Sequence, residues 1–200
     1  MKIKLRTLIL VFAVLLVGAC SSNLMLVSPS GIIDSPETNK AVIVFMRSSF
    51  VASAIGAELF EIKNGELELV GALPNDSKIS HVTEPGEKVY MAYGTAADFM
   101  IAKVGKGKTY YSIVRPNWGS GAFIPTPIKT DGTTDFNTGI DEFDKWISGT
   151  KLLVRKPDTS EWFQKNKEKY QKIYERYWKK FSAKTAAQKQ QRTLMPSDGM

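Results

Sequence analysis

Cys20 is the only cysteine in the chain and His81 the only histidine, so thiolate or imidazole chemistry has to pass through one of two positions. A Ser-His-acid arrangement would run through "ISHVT", yet no Gly-x-Ser-x-Gly elbow occurs in the sequence, and a structural role for His81 is the expectation. Glu58, Glu61, Glu66 and Glu68 could supply the carboxylate pair of a hydrolase or transferase, since such pairs meet only in the fold. On alternating strand positions they read as a water-facing surface. Asp135, Asn137, Asp141 and Asp144 stand at oxygen-ligand spacings, but a calcium loop wants Gly where Ile140 stands and Glu where Trp146 stands. Asp141 and Glu142 suit instead the positive end of a short helix. Ala102, followed by Gly107, Lys108 and Thr109, fits a permissive phosphate-binding loop, but such a loop leads into a helix, whereas Tyr110 to Val114 read as a strand. "VGKGK" is therefore expected to be a hairpin turn with positive φ at Gly105 and Gly107, and no nucleotide is expected. No residue is assigned a catalytic, cofactor-binding or metal-ligating role, and the protein reads as a non-enzyme.

Cys20 has a different chemistry. The chain opens with Lys2, Lys4 and Arg6, then runs apolar from Leu8 to Val17 and ends on small residues, the layout of an export signal. The run is about half the roughly 20 residues that a transmembrane helix needs. "VGAC" at 17–20 resembles the bacterial lipobox, which implies a lipoprotein signal peptide over 1–19, with Cys20 as the mature N-terminus. By the same resemblance the Cys20 thiol carries diacylglycerol and its amine a further palmitate-type chain. Two or more chains anchor stably where one is marginal. Ser21 and Ser22 lack the Asp that resembles an inner-membrane retention signal, so the expected place is the outer membrane, facing the periplasm.

With Cys20 so used, no disulfide or Cys-based zinc site can form within the chain. Removing the leader lowers the formal net charge from +7 to +4. The excess sits in residues 159–200, at +6, while 20–158 carry −2. The basic character belongs to the tail, and nucleic-acid binding is not expected of an exported protein.

The elements that must position these residues follow from periodicity. Residues 20–40, rich in Ser, Pro and Asn, read as a lipidated tether, with Leu24, Met25, Leu26, Ile32 and Ile33 as docking points. "AVIVFMR" suits a strand buried on both faces, and "AELFEIK" and "ELELV" flank Asn64-Gly65, a strong hairpin signal. Leu67 and Leu69 face inward there, opposite Glu66 and Glu68. "KISHV" is a weaker strand, Val89, Met91 and Tyr93 share one face, and Phe99 and Ile101 another. Pro125 and Pro127 suit an edge strand or loop. A polar loop then leads to a short helix over about 140–147. The last element is a helix over 158–192, with Asp158, Thr159 or Ser160 as cap and one aromatic stripe opposite a lysine-rich face. "LMPSDGM" closes the chain as a turn. The stripe is expected to pack on the body. As the alternative, Trp162, Tyr170, Tyr174, Tyr177, Trp178 and Phe181 are candidates to meet a protein partner or anionic lipid.

"AVIVFMRSSFVASAI", "PGEKVYMAY" and "ADFMIAKVGKGKTYYSIV" together resemble a bacterial lipoprotein-associated domain of uncharacterised function, over residues 41 to about 128. The resemblance implies a small antiparallel β-sandwich, prealbumin-like or immunoglobulin-like, and implies no catalytic residues. The expected protein is mainly β: a sandwich over 41–130, then a short helix and a long amphipathic helix over 131–200. Its expected role is non-enzymatic binding or scaffolding at the bacterial envelope.

Overall fold

The structure is a computed structural model and describes residues 24–117 and 119–200; Cys20 and the leader lie outside the described residues. The chain is mainly β, with a helical C-terminal portion. The strands are β1 (Met25–Val27), β2 (Ala41–Arg47), β3 (Ala57–Lys63), β4 (Glu66–Leu73), β5 (Ser77–Thr83), β6 (Gly86–Tyr93), β7 (Ala96–Val104), β8 (Lys108–Pro116), β9 (Ala122–Pro127), β10 (Lys151–Arg155) and β11 (Thr193–Leu194). The helices are α1 (Asp141–Gly149), α2 (Thr159–Ser182) and α3 (Ala186–Gln190).

One hydrogen-bonded sheet runs β1-β10-β5-β2-β8-β9-β7-β6-β3-β4, with β11 added on β7. The sheet is drawn back on itself, because β4 at one end is joined to β5, third from the other end, by residues 74–76 alone. The sheet therefore curls into a nearly closed barrel. This corrects the expected antiparallel sandwich in two respects: the ladder is continuous rather than split between two sheets, and β2–β8, β7–β9, β5–β10 and β7–β11 pair in parallel. Alternation along a strand reports two covered faces equally well whether the second cover is a sheet or a helix.

Inside the barrel Ile43, Phe45, Leu59, Tyr90, Met100, Tyr110 and Phe123 pack together, so the interior is filled by side chains. Gly94 is required there, since a Cβ would lie 2.3 Å from the Phe123 ring. Outside, α2 covers β4, β3, β6 and β7. Phe163, Tyr170, Ile173, Tyr174 and Phe181 bury against Phe60, Leu67, Leu69, Met91 and Phe99, with Phe99 ringed by Tyr174, Trp178 and Phe181. On another outer face α1 sets Phe143 against Val42, Val44, Met46 and Ile113. β2 is buried along its whole length because it has the filled interior on one side and α1 on the other. Asn64 and Gly65 have φ of 53° and 82°, the two left-handed residues of a tight hairpin between β3 and β4.

Other expectations need correction. The loop 105–107 is no hairpin turn: β7 and β8 do not pair, and only Gly107, at φ 70°, is left-handed. β9 lies between the two strands but meets β7 only at Ala122 and Phe123, so Pro125 and Pro127 sit past the last β7 pairing, opposite Val114 and Ser112 of β8, where a missing N–H costs no ladder bond. The expected single helix over 158–192 is interrupted after Ser182, and α3 restarts at Thr185 with a reciprocal cap between Thr185 and Gln188. At the start of α2, Asp158 makes no side-chain cap and the Thr159 hydroxyl donates to the Leu24 carbonyl instead, at 2.6 Å. Within the segment read as a tether, Leu24 to Ser28 are docked, with β1 paired to β10, while 29–39 stay mostly exposed.

The closing residues are more than a turn. β11 pairs Ile101 and Ala102 of β7, while Met200 exchanges two backbone hydrogen bonds with Thr109 of β8. The C-terminus thus fills the wedge between strands that β9 leaves apart. It is fastened by Lys129, whose buried Nζ donates to Asp198 Oδ2 at 2.8 Å and to the Thr193 carbonyl. Breaking a buried pair by removing one partner strands the other charge. Asp198→Ala is expected to lower unfolding free energy by about 3 kcal/mol in urea titration, and Lys129→Met combined with Asp198→Ala to recover part of that loss.

Candidate functional site

The tie between β4 and β5 closes the barrel only near the turn. At Gly71, Met25 and Ile79 fill the gap, and a Cβ would meet Ile79 Cδ1 at 2.8 Å and Met25 Cε at 2.9 Å. Beyond it the β3–β4 register shifts between Leu59 and Phe60, leaving Val70 as an extra residue. Such a bulge bends its strand and adds twist. From there β4 follows α2, and β4 and β5 part. The Leu67 amide meets Gln171 Oε1 and the Leu69 carbonyl accepts from Arg155 Nη1 at 2.9 Å, so side chains satisfy a strand edge that has no strand beside it. β5 is likewise bound to β10 only at Ser77 and Lys78.

The result is an open seam, a cleft of about 360 Å3 lined by Glu61, Glu68, Ser80, His81 and Arg155 together with Met25, Leu69, Val82, Leu153 and Val154. Two residues singled out in the sequence meet at its floor. Glu61 is only 1% exposed, and its Oε2 lies 2.8 Å from His81 Nε2. Thr83 Oγ1 donates to Oε1 at a long 3.4 Å. Lys63 Nζ stands 3.8 Å from Glu61 and 2.6 Å from Glu68, which is the cross-strand neighbour of Glu61. Tyr90 packs edge-on to His81. Burial pushes the Glu61 carboxyl upward, but the His81 hydrogen bond, with the His81, Lys63 and Lys88 charges, outweighs burial and holds it below the ordinary carboxylate range.

The reading of the four glutamates as a wet surface is therefore corrected for two of them. Glu66 and Glu68 are exposed, but Glu61 turns into the barrel and Glu58, three residues earlier on the same strand, turns to the α2 side. Desolvation raises Glu58 to about 7, its own backbone hydrogen bond and the Lys169 charge offsetting only part of that burial cost. Glu58 and Glu61 cannot share a site. His81 bonds a buried carboxylate on a strand that sequence spacing does not connect to it.

Elsewhere the named positions separate. Asn137 spends its side chain on Thr134 and Gly139 within one turn, and Asp141 and Asp144 lie in the first turn of α1. Among the described residues no group of three His, Cys, Asp or Glu could hold a metal ion. Of the aromatic stripe, Tyr170, Tyr174 and Phe181 are buried and Trp162, Tyr177 and Trp178 pack beside them on the sheet, leaving Lys165, Lys169, Lys172, Lys179 and Lys180 as the outer face. Among the described residues no helix is long and apolar enough to cross a membrane. Neither a family model nor a curated protein matches the chain.

Two pH effects follow. His81→Ala leaves Glu61 buried without its main partner and is expected to cost about 3 kcal/mol near neutral pH; the penalty shrinks as pH falls and Glu61 takes up a proton. Glu58 has the opposite sign: its folded value lies above the unfolded 4.5, so its contribution is most favourable below 4.5 and declines as pH rises to about 7. Glu58→Gln is expected to stabilise the protein by roughly 3 kcal/mol above pH 7 and by little at pH 4, measured by urea unfolding across the range.

Proposed function

We propose that this is a lipid-anchored protein of the bacterial envelope, attached through Cys20 and acting as a non-enzymatic binding module at the seam between β4 and β5. The observation that carries the reading is the apolar rim of that cleft. Val82 is 57% exposed and Val154 41%, and both line it; Leu26, paired directly with Val154, is 48% exposed. Exposed apolar side chains gathered around a concave opening are how soluble surfaces mark a contact site. A β4 edge met by the Gln171 and Arg155 side chains rather than by a strand suits an extended polypeptide segment of a partner, which can lie along the slot between β4 and β5. The basic outer face of α2 supports holding the anchored body against anionic lipid. Location at the outer membrane, facing the periplasm, and kinship with the lipoprotein-associated domain of uncharacterised function rest on the residues at 17–22 and on the stretches within 41–128.

A second reading, a hydrolase or transferase with a carboxylate pair, draws on Glu61 and Glu68 as cross-strand neighbours in one cleft. Such a pair needs one carboxylic acid kept protonated by its surroundings. Glu61 is driven the other way by His81, and Glu68 is more than half exposed and paired to Lys63. The arrangement favours binding.

Two experiments on the full chain test the proposal. Cys20→Ala is expected to move the protein from the membrane to the soluble fraction, and retention with membranes would overturn the lipid anchor. A photo-crosslinking residue at Val82 is expected to give a protein adduct in intact cells that one at Glu175, on the outer face of α2, does not give. Val154→Glu should abolish that adduct. Identical products from both positions, or indifference to Val154→Glu, would sink the seam as the binding surface.

A further inference from the structure

The end of the barrel opposite the Asn64-Gly65 hairpin holds a cation with no anion on it among the described residues. Arg47, the last residue of β2, is wholly buried. Its Nη2 donates to the carbonyls of Ala52 and Ile55, at 2.6 and 2.7 Å, and its guanidinium carbon lies 4.1 Å from the centre of the Phe123 ring. Nε and Nη1 are buried and have no hydrogen-bond partner among the described residues. Burial pulls the group down to about 10, partly offset by the charge of Asp76, so it stays cationic at neutral pH. Asp76 acts only at a distance, its Oδ1 receiving the Ser48 hydroxyl. A buried guanidinium with unpaired N–H groups is costly unless something anionic completes it.

The three groups that hold Arg47 are also walls of a cleft. Ala52, Ile55 and Phe123, with Val51, Pro116 and Ala122, enclose about 220 Å3 of mainly apolar space at the barrel mouth. The guanidinium lies behind that wall, under the loop 48–56. The loop is a cover tied down by the two Arg47 bonds and by the Ser49 amide on Asn75 Oδ1, yet Phe50 is 98% exposed, Ile55 is 43% exposed, and Ala52 sits at φ 54°, a backbone region that L-residues other than Asn and Asp rarely occupy.

We infer that this mouth is a binding site for a small amphipathic anion, whose apolar body lies against Val51, Ile55, Pro116 and Phe123 while its carboxylate or phosphate oxygens meet the free N–H groups of Arg47. Entry requires the loop to lift at Val51–Ile55. The two carbonyl bonds of Nη2 point to the loop, and the free Nη1 and Nε leave the anion its own donors. The apolar walls select against inorganic ions, and the cation selects against uncharged amphiphiles of the same length. The site is separate from the seam, which lies between β4 and β5 on the flank of the barrel.

The test follows the Arg47 Nε–H resonance of nitrogen-labelled full chain in lipid nanodiscs, so that partition of the probe into lipid is not mistaken for binding. Octanoate, octyl phosphate and octanol are titrated in turn. At least one anion is expected to shift the resonance saturably, about tenfold or more tighter than octanol, and which one does so separates a free carboxylate from a lipid-type phosphate. Ile55→Glu, at a position that is 43% exposed, places a like charge at the entrance and is expected to abolish the shift while the remaining spectrum is kept. An Arg47 resonance that ignores both anions, that responds equally to octanol, or that still shifts in Ile55→Glu would overturn the inference.

Discussion

A sheet that curls must do something with its edges, because backbone N–H and C=O groups left without partners away from water are costly. This protein has two places where neighbouring strands fail to meet, and it treats them differently. Between β7 and β8 the chain returns at its end and inserts residues 192–200, hydrogen-bonded to Ile101 on one side and Thr109 on the other. Between β4 and β5 no strand is supplied. Gln171 and Arg155 reach across from other elements to satisfy single backbone groups, and the opening that remains is the cleft with Glu61 and His81 at its floor.

Buried charge follows the same economy, with three different outcomes. Lys129 has a full partner set in Asp198 and the Thr193 carbonyl, and the pair fastens the returning C-terminus. Glu61 has His81, Thr83 and the more distant Lys63, enough to keep it ionised at the seam. Arg47 has carbonyls on one nitrogen only. The degree of completion decides what each group is suited to: the complete pair is a structural fastening, the nearly complete one shapes a polar floor, and the incomplete one invites a ligand.

Much of the chain was legible because its local signals agree with its tertiary surroundings. Asn64-Gly65 called for a two-residue hairpin and forms one. The seven apolar residues of β2 called for cover on both sides and have it. The aromatic spacing of α2 called for one buried stripe, which lies on the sheet. Legibility failed where the deciding contact was long-range. Tyr110 to Val114 correctly ruled out a helix after the Gly-Lys-Thr run, but nothing local in 105–107 reports that β9 and the C-terminus would separate the flanking strands. Likewise, alternation in β3 cannot tell a wet face from a helix-covered one, so Glu58 and Glu61 were read as exposed.

By itself the sequence determined the main strands from Ala41 to Pro127, the apolar stripe of the long helix, the single positions open to thiol and imidazole chemistry, and the concentration of positive charge in the last helices. Those properties depend on side-chain period and residue identity within a few positions of chain. The tertiary structure alone decided that the sheet nearly closes on itself, that Glu61 meets His81 from a strand twenty residues away, that Lys129 awaits Asp198, and that Arg47 lies behind the wall of a roofed cleft with N–H groups to spare. Each of these is set by how far the sheet curls and where it fails to close, and curvature is a sum over all the strands that no single stretch of sequence carries.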